Sequence, residues 1–331
     1  MRAGRMVAAL LWAGGFVAGA AETADEKAHW KVVVSSVQED VYPARHLMDG
    51  DFQTRWSSPA SDPQHVEIDL GRIETVTGLT LHWETAYSSE YSVSVSADGE
   101  EWRVVYAESA GDGQTDYVLF PSVRARYIRL WLTKRATGWG HSLWEIDVCR
   151  GENRCRILEP EGADVAALID NDPETAVFLE PPSSLVVDLG EPKALSGVRI
   201  DWGGMHATEG ILYTSPHAAD WEEAVRFEGG TGSFDELLGE PFTARYLKLQ
   251  INAGSADGPV EVAGIRLRGP GETLTDYSRY QMAAQKARPG LYPEALSGRQ
   301  VYWTLIGIPE DARESLLDEY GNLEAEGKGC V

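Results

Sequence analysis

Short runs of alternating apolar and polar side chains recur along most of the chain. Val66–Leu70, Leu79–Trp83, Tyr91–Ser96, Trp102–Tyr106 and Tyr127–Leu132 are such runs, parted by turn formers such as Asp98-Gly99 and Gly111-Asp112-Gly113. A period of two sends successive side chains to opposite faces, so each run predicts a strand with one buried face. Strands bounded by turn signals every 8–12 residues or so predict an antiparallel sandwich or barrel. No stretch of this region carries a helical period. The fold class is therefore all-β.

The pattern occurs twice. At a constant offset of 119 residues, Val66-Glu67-Ile68-Asp69-Leu70-Gly71 matches Leu185-Val186-Val187-Asp188-Leu189-Gly190, and Ala125-Arg126-Tyr127-Ile128-Arg129-Leu130 matches Ala244-Arg245-Tyr246-Leu247-Lys248-Leu249. Ser96 and Trp102 find Ser215 and Trp221 at the same offset, whereas Asp49-Gly50-Asp51 through Thr54 meets Asp170-Asn171-Asp172 through Thr175 at 121. A register held this long marks a tandem duplication, with units at 29–150 and 155–269 and a short C-terminal segment at 270–331. In that segment Asp276–Lys286 predicts a short helix and Gln300–Ile308 a strand too apolar to stand alone. It is expected to pack on the second unit or to open a missing catalytic domain of a longer protein.

Charge and composition narrow the partners. Asp plus Glu number 52 against 29 Lys plus Arg, a net charge of −23, which disfavours nucleic acid and anionic membranes. Eleven Trp make recognition by flat aromatic faces a live option. At the N-terminus, Arg2 and Arg5 precede an apolar run from Met6 to Ala18, and Ala18-Gly19-Ala20 offers a cleavage site. Residues 1–20 thus predict a signal peptide cut after Ala20 and a secreted protein, extracellular or periplasmic, because the run is too short to span a bilayer. Export permits a disulfide between Cys149 and Cys155 that pins the two units together, with two unpaired thiols as the alternative. Cys330 has no obvious partner.

The motifs carry a family resemblance. Asp49-Gly50-Asp51 with Thr54-Arg55-Trp56, Ile68-Asp69-Leu70-Gly71, Val95-Ser96 with Asp98-Gly99 and Trp102, and Gly140-His141-Ser142-Leu143-Trp144-Glu145-Ile146 follow one another as in the coagulation factor 5/8 type C (discoidin) domain. Within that group the chain most resembles carbohydrate-binding modules of family 32 attached to secreted bacterial glycan-degrading proteins. The resemblance implies two discoidin-like β-sandwich (jelly-roll) domains, the second degenerate, with ligand-binding loops at one end and no catalysis.

Asp49, Asp51 and Thr54 gather oxygen atoms in one loop, the donors that a hard cation such as calcium takes. The resemblance implies a structural calcium held by their side chains and that of Glu145, with backbone carbonyls of His46 and Trp144. The alternative is an Asp-Gly turn with a capping Thr. The second unit keeps Asp170, Asp172 and Thr175 but has Gly264 in place of Glu145, and Glu261 falls on the opposite face.

Sugars bind to aromatic faces, with charged or amide groups on their hydroxyls. Glu39, Arg55, Glu84, Tyr87, Trp139 and His141 lie in the loops that contact a glycan in the resembled modules. Arg55 serves equally as a loop brace. Trp56, Trp83 and Trp102 sit on strand patterns and are expected in the core, while the glycines flanking Trp139 suggest an exposed ring. In the second unit the equivalents of Arg55, Glu84 and Trp139 are Ala176, Gly203 and Gly258, and seven Trp in the first unit become two. No metalloprotease, nucleophile-elbow or phosphate-loop motif appears. The expected role is that of a secreted, non-catalytic glycan-binding protein. The competing reading is an adhesion or assembly protein with a protein partner.

Overall fold

A computed structural model describes residues 29–230 and 232–270. The expected signal peptide, the helix and strand expected after residue 270, and Cys330 lie outside the described residues. The first repeat contributes β1 (Lys31–Val34), β2 (Trp56–Ser57), β3 (Gln64–Trp83), β4 (Ser88–Ser96), β5 (Arg103–Glu108), β6 (Thr115–Arg135) and β7 (Ser142–Arg150). The second contributes β8 (Arg156–Glu159), β9 (Val177–Leu179), β10 (Ser183–Trp202), β11 (Ala207–Ser215), β12 (Glu222–Glu228), β13 (Phe234–Gly254) and β14 (Val260–Arg268). All the pairings are antiparallel.

In each repeat one long ribbon makes both layers of the sandwich. The first half of β3 pairs with β1 and with the end of β6, and its second half pairs with β7 and with the start of β6. The bend falls where the register shifts, between Asp69 and Glu74 and again between Val76 and Gly78. At Gly78 a Cβ would sit 2.3 Å from the Val118 carbonyl, and at its counterpart Gly197 it would sit 2.1 Å from that of Leu237. Only glycine lets the two strands approach so closely. Alternate residues then point inward: Val66, Ile68, Leu79, Leu81, Ile128 and Leu130 among others form the first core, and Leu185, Val187, Val198, Ile200, Leu247 and Leu249 belong to the second.

Polar anchors repeat with the strands. Arg126 grips Asp69 at 2.7 and 2.8 Å, and Arg245 grips Asp188 at 2.8 and 2.9 Å. Trp83 Nε1 donates to Asp116 at 2.8 Å, and Trp202 Nε1 donates to Asp235 at 2.7 Å. The shared motifs therefore hold the architecture, whichever repeat carries them.

The two sandwiches share one 14-stranded sheet, because β14 pairs with β6 through Leu267–Tyr117 and Arg268–Asp116. Tyr117 and Leu119 of the first repeat pack against the second core. Buried at this seam, Glu108 takes Arg268 at 3.1 Å, Arg199 at 3.4 Å and Arg266 at 3.7 Å. Burial pushes the Glu108 carboxyl up, but Arg266, Arg268, the Ala110 amide and Arg199 outweigh it and hold the group below its ordinary value. Arg268 also reaches Glu236 at 2.8 Å and Asp116 at 3.7 Å. The corresponding residues of the first repeat are Thr80, Asp147 and Cys149, so the arginine clasp belongs to the second copy alone.

Asp116 beside it behaves oppositely. Burial pushes its carboxyl up to about 6 against a bond from Tyr91, with Asp112 adding to the rise and Arg268 opposing it. A carboxyl raised by folding holds its proton more tightly in the folded chain. Its contribution is therefore complete below the ordinary 3.8 and is lost as the pH climbs through about 6. The stability advantage of the wild type over Asp116→Asn should shrink between those limits in urea titrations. Parallel stability curves would contradict this.

The structure corrects two expectations. Cys149 and Cys155 are both free thiols, and no disulfide joins them. Cys155 is buried with its Sγ donating to the Leu189 carbonyl at 3.5 Å, and burial pushes its thiol up to about 11. The seam is instead held by backbone pairing and charge. Trp102, expected in the core, lies half-buried just before β5 with the Arg129 guanidinium 3.8 Å above its ring.

Candidate functional site

Four loops meet at one end of the first sandwich, and Ser142 at the start of β7 ties three of them. Its amide donates to the Ala86 carbonyl at 2.7 Å, its carbonyl accepts from Glu84 N at 3.1 Å, and its hydroxyl donates to the Trp56 carbonyl at 2.9 Å. Arg55 Nη1 donates to that hydroxyl at 2.9 Å and lies 4.1 Å above the Tyr42 ring. The fourth loop joins through Gln38, whose amide donates to the Ser57 carbonyl at 2.7 Å, and it leaves Glu39 exposed. Tyr87 accepts from Ala136 N at 3.0 Å through its carbonyl, linking the 84–87 loop to the one that carries Trp139.

The expected ligand residues divide into a buried frame and an exposed surface. Trp139 stands out at 47 % exposure. Its amide donates to Thr137 Oγ1 at 3.2 Å and its carbonyl accepts from Arg135 Nη1 at 3.1 Å. Arg135 in turn pairs with Asp62 at 3.1 Å. Tyr87 is half-buried over Gly113, where a Cβ would fall 2.0 Å from its ring, and burial with the nearby Asp112 raises its hydroxyl.

His141 and Glu84 depart from the expectation of exposed contacts. His141 is 0 % exposed, and its Nε2 donates to Asp62 Oδ1 at 2.8 Å. Burial lowers its affinity for a proton more than Asp62 raises it, so the neutral ring leaves Nδ1 as an unpaired acceptor. Glu84 is 3 % exposed and its Oε2 accepts from Ala86 N at 2.8 Å. His141 is thus spent on joining two loops and Glu84 on closing its own turn, so both brace the site. Arg55 does the same.

The acidic loop follows β1 and the 3₁₀ turn Ala44–Leu47, which holds His46. Thr54 Oγ1 donates to Asp49 Oδ2 at 2.8 Å, Asp51 N to Asp49 Oδ1 at 3.0 Å, and Gln53 N to Asp51 Oδ1 at 2.9 Å. Gly50 N donates across to Glu145 Oε1 at 2.6 Å, and Trp144 is buried one residue before it on β7. Glu145 is buried against the Asp49 carboxyl, and burial first, then that neighbour, push it up to about 7. Among the described residues no three His, Cys, Asp or Glu side chains group closely enough to hold a metal by themselves. Two facing carboxyls, one of them buried, are nonetheless a donor set whose repulsion a hard cation relieves.

The second repeat keeps the loop and changes its anchor. Thr175 Oγ1 donates to both Asp170 oxygens at 3.0 Å and Asp172 N to Asp170 Oδ1 at 3.0 Å, repeating the first loop. With Gly264 at the position of Glu145, Arg266 reaches over to Asn171 Oδ1 at 3.2 Å and to Asp201 at 2.7 Å. The same guanidinium donates to the Ala107 carbonyl at 2.6 Å, so this loop end faces the first repeat. At the loop that corresponds to Glu84, Glu261 turns back to accept from Gly204 N at 2.7 Å and crowds the space a side chain would need at Gly203. The docking role of Arg199, Arg266 and Arg268 was hidden in the sequence, although their absence from the first repeat marked them.

The chain is similar to several known proteins. The chain is 33 % identical over 98 residues to the polysaccharide lyase 8 family protein HylA of Enterococcus faecalis, a stretch that is 29 % of this chain and 7 % of that protein. Among solved structures it is similar to chitosan-binding module 1 of a chitosanase/glucanase from Paenibacillus sp. IK-5 (38 % identity, 36 % of this chain and 92 % of that one, TM-score 0.35). Module 2 of the same enzyme, solved with chitotriose, is 35 % identical over 36 % of this chain and 95 % of that one, with a TM-score of 0.35. The F5/8 type C domain pattern matches residues 31–146 and again 155–265. Covering both repeats and most of the chain, that match shows that the protein belongs to the F5/8 type C domain family.

Proposed function

We propose that the first domain binds a glycan without cleaving it and that the second holds it in place. The observation that carries this reading is Trp139, an indole pushed into solvent at a loop end whose other residues are spent on bracing it. An aromatic face turned to water fits the C–H face of a pyranose. Exposed Glu39, with Asp62 at the rim, favours neutral or amino sugars over uronates, since a carboxylate accepts hydrogen bonds from hydroxyl or ammonium groups. The partial similarity to a polysaccharide lyase agrees with a targeting role in a longer glycan-degrading protein, exported by the leader at residues 1–20. Affinity gels with chitosan, a β-glucan, a galactoside polymer and an N-acetylhexosamine polymer test the reading. Retardation by at least one is expected, and free migration in all four would overturn it.

Calcium belongs to the same reading as a structural ion. Asp49 and Glu145 would hold it, with Asp51, Thr54 and the His46 and Trp144 carbonyls completing the oxygen set. Bound there, it would neutralise the paired carboxyls and lock the loop to β7. A cation that binds only the folded chain stabilises it by about 2.7 kcal/mol at a hundred times its Kd. Melting the chain with chelator and with excess calcium should therefore show a clear rise with calcium, and Glu145→Gln should remove most of it. Equal melting temperatures under both conditions would mean that the acidic loop is only a turn.

A further inference from the structure

We propose that the glycan seat continues from Trp139 along the outer face of β6 to Trp131, so that the first domain grips a stretch of polymer rather than a single sugar end. This rests on the glycan reading of the Trp139 loop and extends it to the chain length recognised. On β6 the inward residues Ile128, Leu130 and Leu132 are buried, and the alternate residues Arg129, Trp131 and Thr133 face out. Trp131 is 37 % exposed. The register sets His65 of β3 on one side of it and Ser92 of β4 on the other. Its ring stacks on His65 with centroids 5.5 Å apart and planes 7° apart. That stack is uncharged near neutral pH, because burial and Arg129 lower the affinity of His65 for a proton. Ser92 on the opposite flank is too small to cover an indole.

The two tryptophans are joined by structure already described. β6 leads from Trp131 past Thr133, where its register against β4 shifts, to Arg135, which pairs with Asp62 and donates to the Trp139 carbonyl. Four residues of strand span about 13 Å, longer than one pyranose ring. The Arg135–Asp62 pair beside the Trp139 loop supplies a donor and an acceptor for hydroxyls. Apolar platforms separated by polar groups are the pattern expected of a surface that follows a sugar chain.

The second repeat supplies an internal control. At the 119-residue offset Trp131 becomes Gln250, His65 becomes Ser184, Arg135 becomes Gly254 and Trp139 becomes Gly258. The pairing is unchanged, since Gln250 still faces Ser184 across β10 and β13. Anchors that hold the sandwich, such as Asp69–Arg126 and Trp83–Asp116, survive in both copies. The strip and the Trp139 loop are thus present together in one copy and absent together from the other, while the scaffold stays.

Calorimetric titration of the full chain with a chitosan disaccharide and a chitosan hexasaccharide tests the extension. The wild type should bind the hexasaccharide about tenfold tighter or more. Trp131→Ala should lose that gain and keep the disaccharide affinity, which also reports that the variant is folded. If both lengths bind the wild type equally, or if the gain survives in Trp131→Ala, the extension is overturned and the Trp139 seat stands. If neither sugar binds, the seat for this polymer falls and the extension falls with it.

Discussion

Replacing Glu108 with alanine should cost about 3–5 kcal/mol and split one unfolding transition into two. Glu108 is 2 % exposed and faces three guanidinium groups, all from the second repeat. Without the carboxylate, Arg199, Arg266 and Arg268 are left in a buried cluster of like charge, with Glu236, Asp201 and Asp116 as their remaining counter-charges. Removing one member of a buried ion cluster is expensive because the partners stay desolvated. Glu108→Gln keeps the shape and an acceptor for the Tyr106 hydroxyl, so it should fall between the alanine variant and the wild type. Calorimetry of the three proteins decides this. A single transition at the wild-type temperature in Glu108→Ala would mean that strand pairing alone joins the domains.

The second large effect is expected on binding. Trp139→Ala should weaken the interaction with whichever glycan the affinity gels identify by more than thirtyfold, a loss of about 2 kcal/mol or more. The loop backbone is held by Thr137 and Arg135 through main-chain atoms of residue 139, so truncating the side chain leaves the loop in place. Melting temperature should therefore be unchanged while affinity falls. His141→Ala should act differently: it takes from Asp62 one of its two partners, loosens the loop and lowers stability along with affinity. A Trp139→Ala protein with wild-type affinity would move the platform elsewhere.

Much of this architecture was legible in the sequence, for a physical reason. Alternation reports which face of a strand is buried, and duplication presented each strand twice, so chance alternation in one copy was checked by the other. The runs Val66–Leu70 and Leu79–Trp83 read as two strands yet form one, β3, because the chain bends at residues 71–73, where the side chains turn outward, and resumes pairing with β6 at Glu74. Trp139 was found through its flanking glycines. Glu84 and His141 were harder, since a polar residue in a loop gives no sign of whether another loop covers it. The clasp arginines were hardest. On an alternating strand a charged residue reads as solvent-facing, and Arg199 and Arg268 instead face another domain that no local pattern can indicate.

The pairing of β14 with β6 also bears on how the chain avoids its own kind. A strand with unpaired amides and carbonyls beside Tyr117 and Leu119 would be an open template for a second copy. The second repeat caps that template with a strand of its own and seals it with the arginines around Glu108. An excised first repeat, cut after residue 150, would carry both the bare edge and a carboxylate stripped of its counter-ions. In the full chain the degenerate copy therefore covers a sheet edge of the first copy that would otherwise lie open.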